Sequence, residues 1–299
     1  MASAHEMRQR IRSVRNIAQL TRALEAVSIS RVRKAENQLR ATRPYGDKAW
    51  EVLCHLSRQR DRGDIHPLLN ERSLVRRGLV VMICGNRGLA GAYNTNIVQH
   101  TLSFVESVNF PVQYITVGRR GRDILFRQGA AILADFSDLP AEPTFNDVSA
   151  IGSIVIDEFL QEGVDEVYLM YSRFESLLKQ VPTHKKLLPL EYCEIDESII
   201  GWGEGRSVDV TPREYVYKYE PGQVEIISRI ITRLVELQVF TSILEALASE
   251  HAARMVAMKN ANDNSMELLD VLQLELNRAR QQTITRDILD IVSGAEALE

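Results

Sequence analysis

Apolar positions recur every three or four residues at both ends of this 299-residue chain. Near the start, Met7, Ile11, Val14, Ile17, Leu20, Leu24 and Val27 make one stripe. Near the end, Ile230, Leu234, Leu237, Leu244, Met255, Met258, Leu269, Leu272 and Leu276 fall on an alternating 4–3 track, interrupted by Thr241, Ala248, His251, Asn262 and Ser265. Such spacing sets apolar side chains on one helix face, and a 3.5-residue period held over this length predicts a coiled coil. Helix breakers are missing from both stretches: there is no Gly or Pro from Met1 to Arg43, nor from Gln223 to Ser293. Two long helices are therefore predicted, at 1–58 and 222–299. At 1.5 Å per residue they extend roughly 80 and 110 Å, against about 30 Å for a small domain. The middle of the chain cannot cover that length, so the helices are expected to pair antiparallel and project. Two separate amphipathic helices lying on a globular body are the plainer alternative.

Between them, residues 74–194 read as a central α/β domain. Gly78 to Cys84 is almost wholly apolar, as a buried parallel strand requires. A glycine turn and a helical pattern to about Val108 follow it. Phe110 to Val117 reads as a second strand, with a short helix near Arg122–Arg127. Ala131 to Ala134 is a weaker third strand, Asn146 to Leu160 an amphipathic helix and Val164 to Tyr171 a fourth strand. Gln180 to Leu190 contains two prolines and reads as an edge strand. This alternation makes a Rossmann-like parallel sheet covered on both faces. Residues 195–221 read as a loop and the approach to the last helix. The predicted fold class is thus α/β, a parallel-sheet domain bracketed by an antiparallel coiled coil.

Composition adds limits. Apolar residues make up 45% and charged ones 25%, ordinary for a folded chain, and the 6% aromatic content argues against a β-sandwich. No apolar run approaches the roughly 20 residues that would span a bilayer. The first residues turn charged at once with no apolar core, so no secretory signal is expected. Cys54, Cys84 and Cys193 are an odd number with no CxxC spacing, which fits reduced thiols and no zinc frame. The net charge of −4 hides a division: residues 1–43 carry +7 and residues 222–299 carry −5. That match suits paired helices, although exposed ion pairs contribute little.

One segment looks like chemistry. Gly85 to Asn94 lies between a strand and a helix, where glycine turns cradle phosphate. Its spacing is G-x-x-G-x-x-G, not the dinucleotide G-x-G-x-x-G, and Arg87 stands where a small residue is wanted. Arg119 and Arg120 follow the second strand where an NAD ribose would need an acid, which leaves an NADP enzyme using Gly85–Gly91 as an alternative. The six histidines form no metal-ligand pair, and no nucleophile elbow is present. Cys54-His55 on a helix points its side chains apart. The basic segment 8–43 lacks aromatics for base stacking, so a partner-facing helix surface is favoured over nucleic acid.

The pieces resemble one family nearly end to end: the gamma subunit of F-type ATP synthases. Residues 10–24, RIRSVRNIAQLTRAL, are similar to its opening helix, which usually reads I-x-S-V-x-N-T-x-x-I-T-x-A-M. Residues 87–94, RGLAGAYN, resemble its central segment, in which Arg87, Gly88, Gly91, Tyr93 and Asn94 carry the motif. The third block is ARMVAMKNANDN at 253–264, NRARQ at 277–281, ITRD at 284–287 and SGA at 293–295. Tyr217 to Pro221 is similar to the family's aromatic-Glu-Pro lead into the last helix. Ile17 and Leu24 stand where Thr and Met are usual, and Asp287 where Glu is usual. The cysteine-bearing insertion of the chloroplast type is not seen, so thiol control is not expected, and with no targeting extension a bacterial type is expected.

The resemblance implies a non-catalytic rotor shaft with no cofactor and no metal. It implies one copy per complex, with the paired helices in the bore of the alpha–beta hexamer and the α/β domain beside epsilon on the c-ring. It also implies peripheral attachment at the cytoplasmic face of the bacterial cell membrane. By motif match, Arg280, Gln281 and Thr285 are expected to meet the catch loop of beta, and Leu24 to face its moving lever. A coiled-coil dimerisation scaffold is the alternative of a different class.

Overall fold

The computed structural model describes residues 4–57, 66–72, 74–190 and 223–296. The expected loop at 195–221, the Tyr217–Pro221 motif and Cys193 lie outside the described residues, as do the side chains of Cys54 and His55. Strand β1 (Gly78–Ile83) is central, with a parallel neighbour on each side, β2 (Val112–Val117) and β4 (Glu166–Phe174), and is buried at every position because both faces of the sheet are covered. That is why its sequence is a continuous apolar run and not an alternating one. β3 (Ile132–Asp135) pairs parallel with β2, and β5 (Gln180–Leu188) antiparallel with β4, giving the order β3-β2-β1-β4-β5. Pro182 sits on the β5 edge, where a missing N–H is tolerated.

The pleat sorts the strand residues onto two faces. Val80, Met82, Cys84, Tyr114 and Met170 pack with Ile97 and Val98 of helix α2 (Tyr93–Ser107) and Leu125 of α3 (Arg119–Arg127). Leu79, Val81, Ile83, Ile115, Val117, Leu169 and Tyr171 face α4 (Phe145–Leu160) and the last helix, α5 (Gln223–Glu296). α4 begins with a reciprocal cap in which the Thr144 backbone N–H donates to Asp147 at 2.7 Å. α4 and α5 approach closely at Gly152: a Cβ there would lie 2.8 Å from Glu236 Cγ and 3.3 Å from its Cα.

Helix α1 runs from Ala4 to Ser57, through Pro44. The chain divides into two compact units, Ser30–Ala253 and Met1–Ile29 with Arg254–Glu299, so α1 and α5 each contribute to both. In the larger unit they run antiparallel. Gly46 faces Leu237, a Cβ there lying 3.3 Å from Leu237 Cδ2, while Ala35 shares a cavity of about 50 Å3 with Leu244 and His251. Ala35, Leu39, Leu244 and Ala248 are buried in one cluster.

The α1 stripe differs from the one expected. Ile17, Leu20 and Val27 are 51%, 60% and 50% exposed, while Ala18, Thr21 and Ser28 are buried. At Val14 the pattern has two continuations, a step of three to Ile17 or of four to Ala18. Strict 4–3 alternation takes the second and runs Met7, Ile11, Val14, Ala18, Thr21, Glu25, Ser28, Val32, Ala35, Leu39, every one buried or half-buried. Small residues hid the seam from a reading that followed bulk. The α5 track holds as predicted: Leu234, Leu237, Leu244, Met258, Leu269 and Leu272 are buried, and so are its interruptions Ala248 and His251.

Candidate functional site

The Gly85–Asn94 turn links β1 to α2 and is held by its own motif. The Gly85 N–H donates to Asn94 Oδ1 at 2.8 Å, and Asn94 Nδ2 donates to the Arg87 carbonyl at 3.3 Å. Asn86 Oδ1 accepts from the Arg119 N–H at 2.9 Å, tying the turn to the start of α3. Gly91 has φ 57, the left-handed conformation that closes the turn before α2. Gly88 lies under Arg120, and Arg87 is exposed. Tyr93 is buried, and its hydroxyl donates to the Ala246 carbonyl of α5 at 3.0 Å.

Glu250 of α5 comes close to the start of this turn: a Cβ on Gly85 would lie 2.8 Å from Glu250 Cδ and 2.9 Å from Oε1. The glycine there admits the close approach of α5. Burial and the nearby Glu250 charge push the Cys84 thiol up to about 12, so it stays protonated. Among the described residues, no three His, Cys, Asp or Glu side chains converge as a metal site needs.

The turn is one part of a polar rim on α5 that composition gave no sign of. Glu245, Ser249, Glu250 and His251 are all buried, where surface helices carry solvated charge. Ser249 Oγ donates to the Ser172 carbonyl of β4 at 2.8 Å. Glu245 lies among Tyr171, Arg173 and Lys185; burial raises its carboxyl to about 7 against the pull of Lys185 and Arg173. The same burial lowers Lys185 and raises Tyr171.

The expected partner contacts lie in the smaller unit. Arg280, Gln281 and Thr285 are exposed on α5, and Thr285 Oγ1 donates back to the Gln281 carbonyl at 3.0 Å. Every residue from Gln281 to Leu289 is exposed. Leu24 is half-buried on α1, between Thr21 and Glu25 of the seam. Arg280, Gln281 and Thr285 lie within two turns of each other on α5, and Leu24 lies on α1.

Known proteins agree with this architecture. A family model described as ATP synthase matches residues 3–298. The ATP synthase gamma chain of Desulfitobacterium hafniense is 41% identical over 300 residues, covering all of both chains. That of Roseiflexus sp. is 38% identical over 301 residues, covering 100% of this chain and 99% of the relative. Among solved structures, a chain of the Euglena gracilis mitochondrial ATP synthase, OSCP/F1/c-ring in rotational state 3, shares the fold with a TM-score of 0.63 at 17% identity. It covers 99% of this chain and 94% of that one. A chain of the Tetrahymena thermophila central stalk and c-ring gives 0.56 at 20% identity, covering 81% and 99%. The chain belongs to the ATP synthase family, as a gamma chain matched along its whole length.

Proposed function

We propose that this gamma chain, the non-catalytic central rotor shaft of an F-type ATP synthase, meets its partners with three surfaces. The first is the unit of Met1–Ile29 and Arg254–Glu299, which enters the bore of the alpha–beta hexamer. One observation carries that reading. Ile17, Leu20 and Val27 on α1, and Ile284, Ile288, Leu289 and Ile291 on α5, are each at least half exposed. An apolar surface of that extent is what a lubricated, dry bearing needs and what a free monomer avoids.

The second surface is the pair of beta contacts. The Arg280 guanidinium, with Gln281 and Thr285 beside it, meets the catch loop of beta, where a planar fork pairs well with carboxylate. Leu24 faces the moving lever of beta. The third surface is the α/β domain, which sits with epsilon on the c-ring. Proton flow turns the ring, and the asymmetric shaft drives each beta site in turn through open, loose and tight states. No helix among the described residues is long and apolar enough to cross a membrane. Attachment is peripheral, through the c-ring, at the cytoplasmic face of the bacterial cell membrane.

The same exposed stripe could serve a dimerisation arm, and reconstitution separates the two. Mixed with alpha and beta subunits of its organism, one copy is expected to enter each hexamer and switch on steady ATP hydrolysis. Self-association without entry into the hexamer would favour the scaffold.

A further inference from the structure

A shaft transmits torque only if it cannot turn or slide in its own hub. Between Ile231 and Leu244, the α5 residues Ile231, Leu234, Val235, Val239, Phe240, Ile243 and Leu244 are buried in the cluster that α5 shares with the sheet, α4 and α1. Burial of this kind is strong but non-directional, so a helix that slips exchanges one set of apolar contacts for another. Over the next turn and a half the chemistry changes. The Ala246 carbonyl accepts from Tyr93 of α2, and Ser249 donates to Ser172 of β4. Glu245 lies in the fields of Lys185 on β5 and Arg173 on β4. At 3.6 residues per turn, positions 245, 246 and 249 span roughly 100° of the helix circumference. Their partners come from three different elements, so rotation in either direction breaks bonds that cannot reform elsewhere.

We propose that Tyr93, Lys185, Glu245 and Ser249 form a polar lock that fixes the rotational and axial register of α5 on the sheet, so torque passes from the α/β domain into the shaft without slip. They are positioning residues, and the proposal rests on the rotor reading above. Opposite charges buried near one another, as Glu245 and Lys185 are, are a weak source of stability but set register, because a wrong alignment strands a charge. Glu245 Oε2 and Arg173 Nε are buried without a hydrogen-bond partner, so the two groups act on each other through charge. Tyr171, bonded to Ser242 one turn earlier, closes the cluster from β4. Ionised Glu245 holds Lys185 more firmly than protonated Glu245 does, so the lock tightens as pH rises through about 7.

The test uses the whole complex in proteoliposomes, carrying the pair Lys185→Met and Glu245→Leu, which replaces charge with apolar side chains of similar length. The expected result is thermal stability equal to or above that of the wild type and unchanged ATP hydrolysis without load. ATP-driven proton pumping per ATP should be lost as the opposing gradient builds, and Glu245→Asp should recover part of it. The wild type to Glu245→Gln ratio of pumping per ATP should also rise with pH through about 7. Pumping per ATP equal to wild type under load would overturn the lock. Should the double variant not assemble, Glu245→Gln carries the same test, and a flat pH ratio is the overturning outcome. Failure of the wild-type chain to activate hydrolysis would count against the rotor reading instead.

Discussion

Gly152→Ala sets two effects of known size against each other. Position 152 lies inside α4, where Ala is favoured over Gly by about 1 kcal/mol because it loses less backbone entropy. The added methyl has nowhere to go. It would lie 2.8 Å from Glu236 Cγ, 3.3 Å from Cα and 3.4 Å from Cβ. A flexible tip could swing aside, but Cα belongs to the α5 backbone, so the two helices must separate by several tenths of an ångström. Overpacking of this kind costs about 1–3 kcal/mol. The strain should win, leaving the variant less stable by about 1 kcal/mol after the helix gain is deducted. Glu236→Ala alone deletes Cγ and the 2.9 Å ion pair with Arg233, a pair 57% exposed on its arginine side and of little value. In the double variant the methyl gains room. Urea unfolding of the isolated chain, followed by helix signal, should therefore show a favourable coupling of about 1 kcal/mol in the double-mutant cycle. A Gly152→Ala chain more stable than wild type, or strictly additive changes, would refute the close approach of α4 and α5.

Four further outcomes are expected. Arg280→Ala should lower ATP synthesis by the assembled complex and leave thermal unfolding of the isolated chain unchanged, since Arg280 is exposed; unchanged synthesis would sink that contact. Leu24→Lys should uncouple rotation from proton flow, read as hydrolysis without pumping, and normal coupling would count against the lever contact. Ala18→Asn, at the seam, should cost the isolated chain at least about 1 kcal/mol, whereas Ile17→Asn, one residue away and 51% exposed, should cost under about 0.5 kcal/mol; equal costs would restore the bulk stripe. Glu245 holds its proton more tightly when folded than its ordinary value of 4.5, at about 7. Between those values the folded chain binds more protons than the unfolded one. Its contribution is present below pH 4.5 and is lost as pH rises to 7, by up to about 3 kcal/mol. Glu245→Gln should flatten that slope in melts taken across the range.

Most of the architecture was legible because strong periodicities carry it. β1 announced itself as a continuous apolar run, and the α5 track as a 3.5-residue period in large residues. The α1 seam was half hidden, since Ala18, Thr21 and Ser28 carry little hydrophobic signal while Ile17, Leu20 and Val27 carry much and face outward. Those bulky residues record a surface that the chain alone does not cover. The Gly85 turn was ambiguous for a related reason. Glycine after a strand marks a close approach, but sequence does not say of what, and here it is the Glu250 carboxylate. The polar rim was illegible because a helical Glu reads as solvated by default, and only tertiary contact buries Glu245. Arg280, Gln281 and Thr285 carry no local signal at all; their exposure gives them no role within the chain, and only the family motif marked them.

The central claim is that this chain turns. A probe fixed to the α/β domain of the chain, in a complex anchored through alpha and beta, should rotate in one direction while ATP is hydrolysed and stop when ATP is withdrawn. Steady hydrolysis by a complex that holds this chain still would contradict the account.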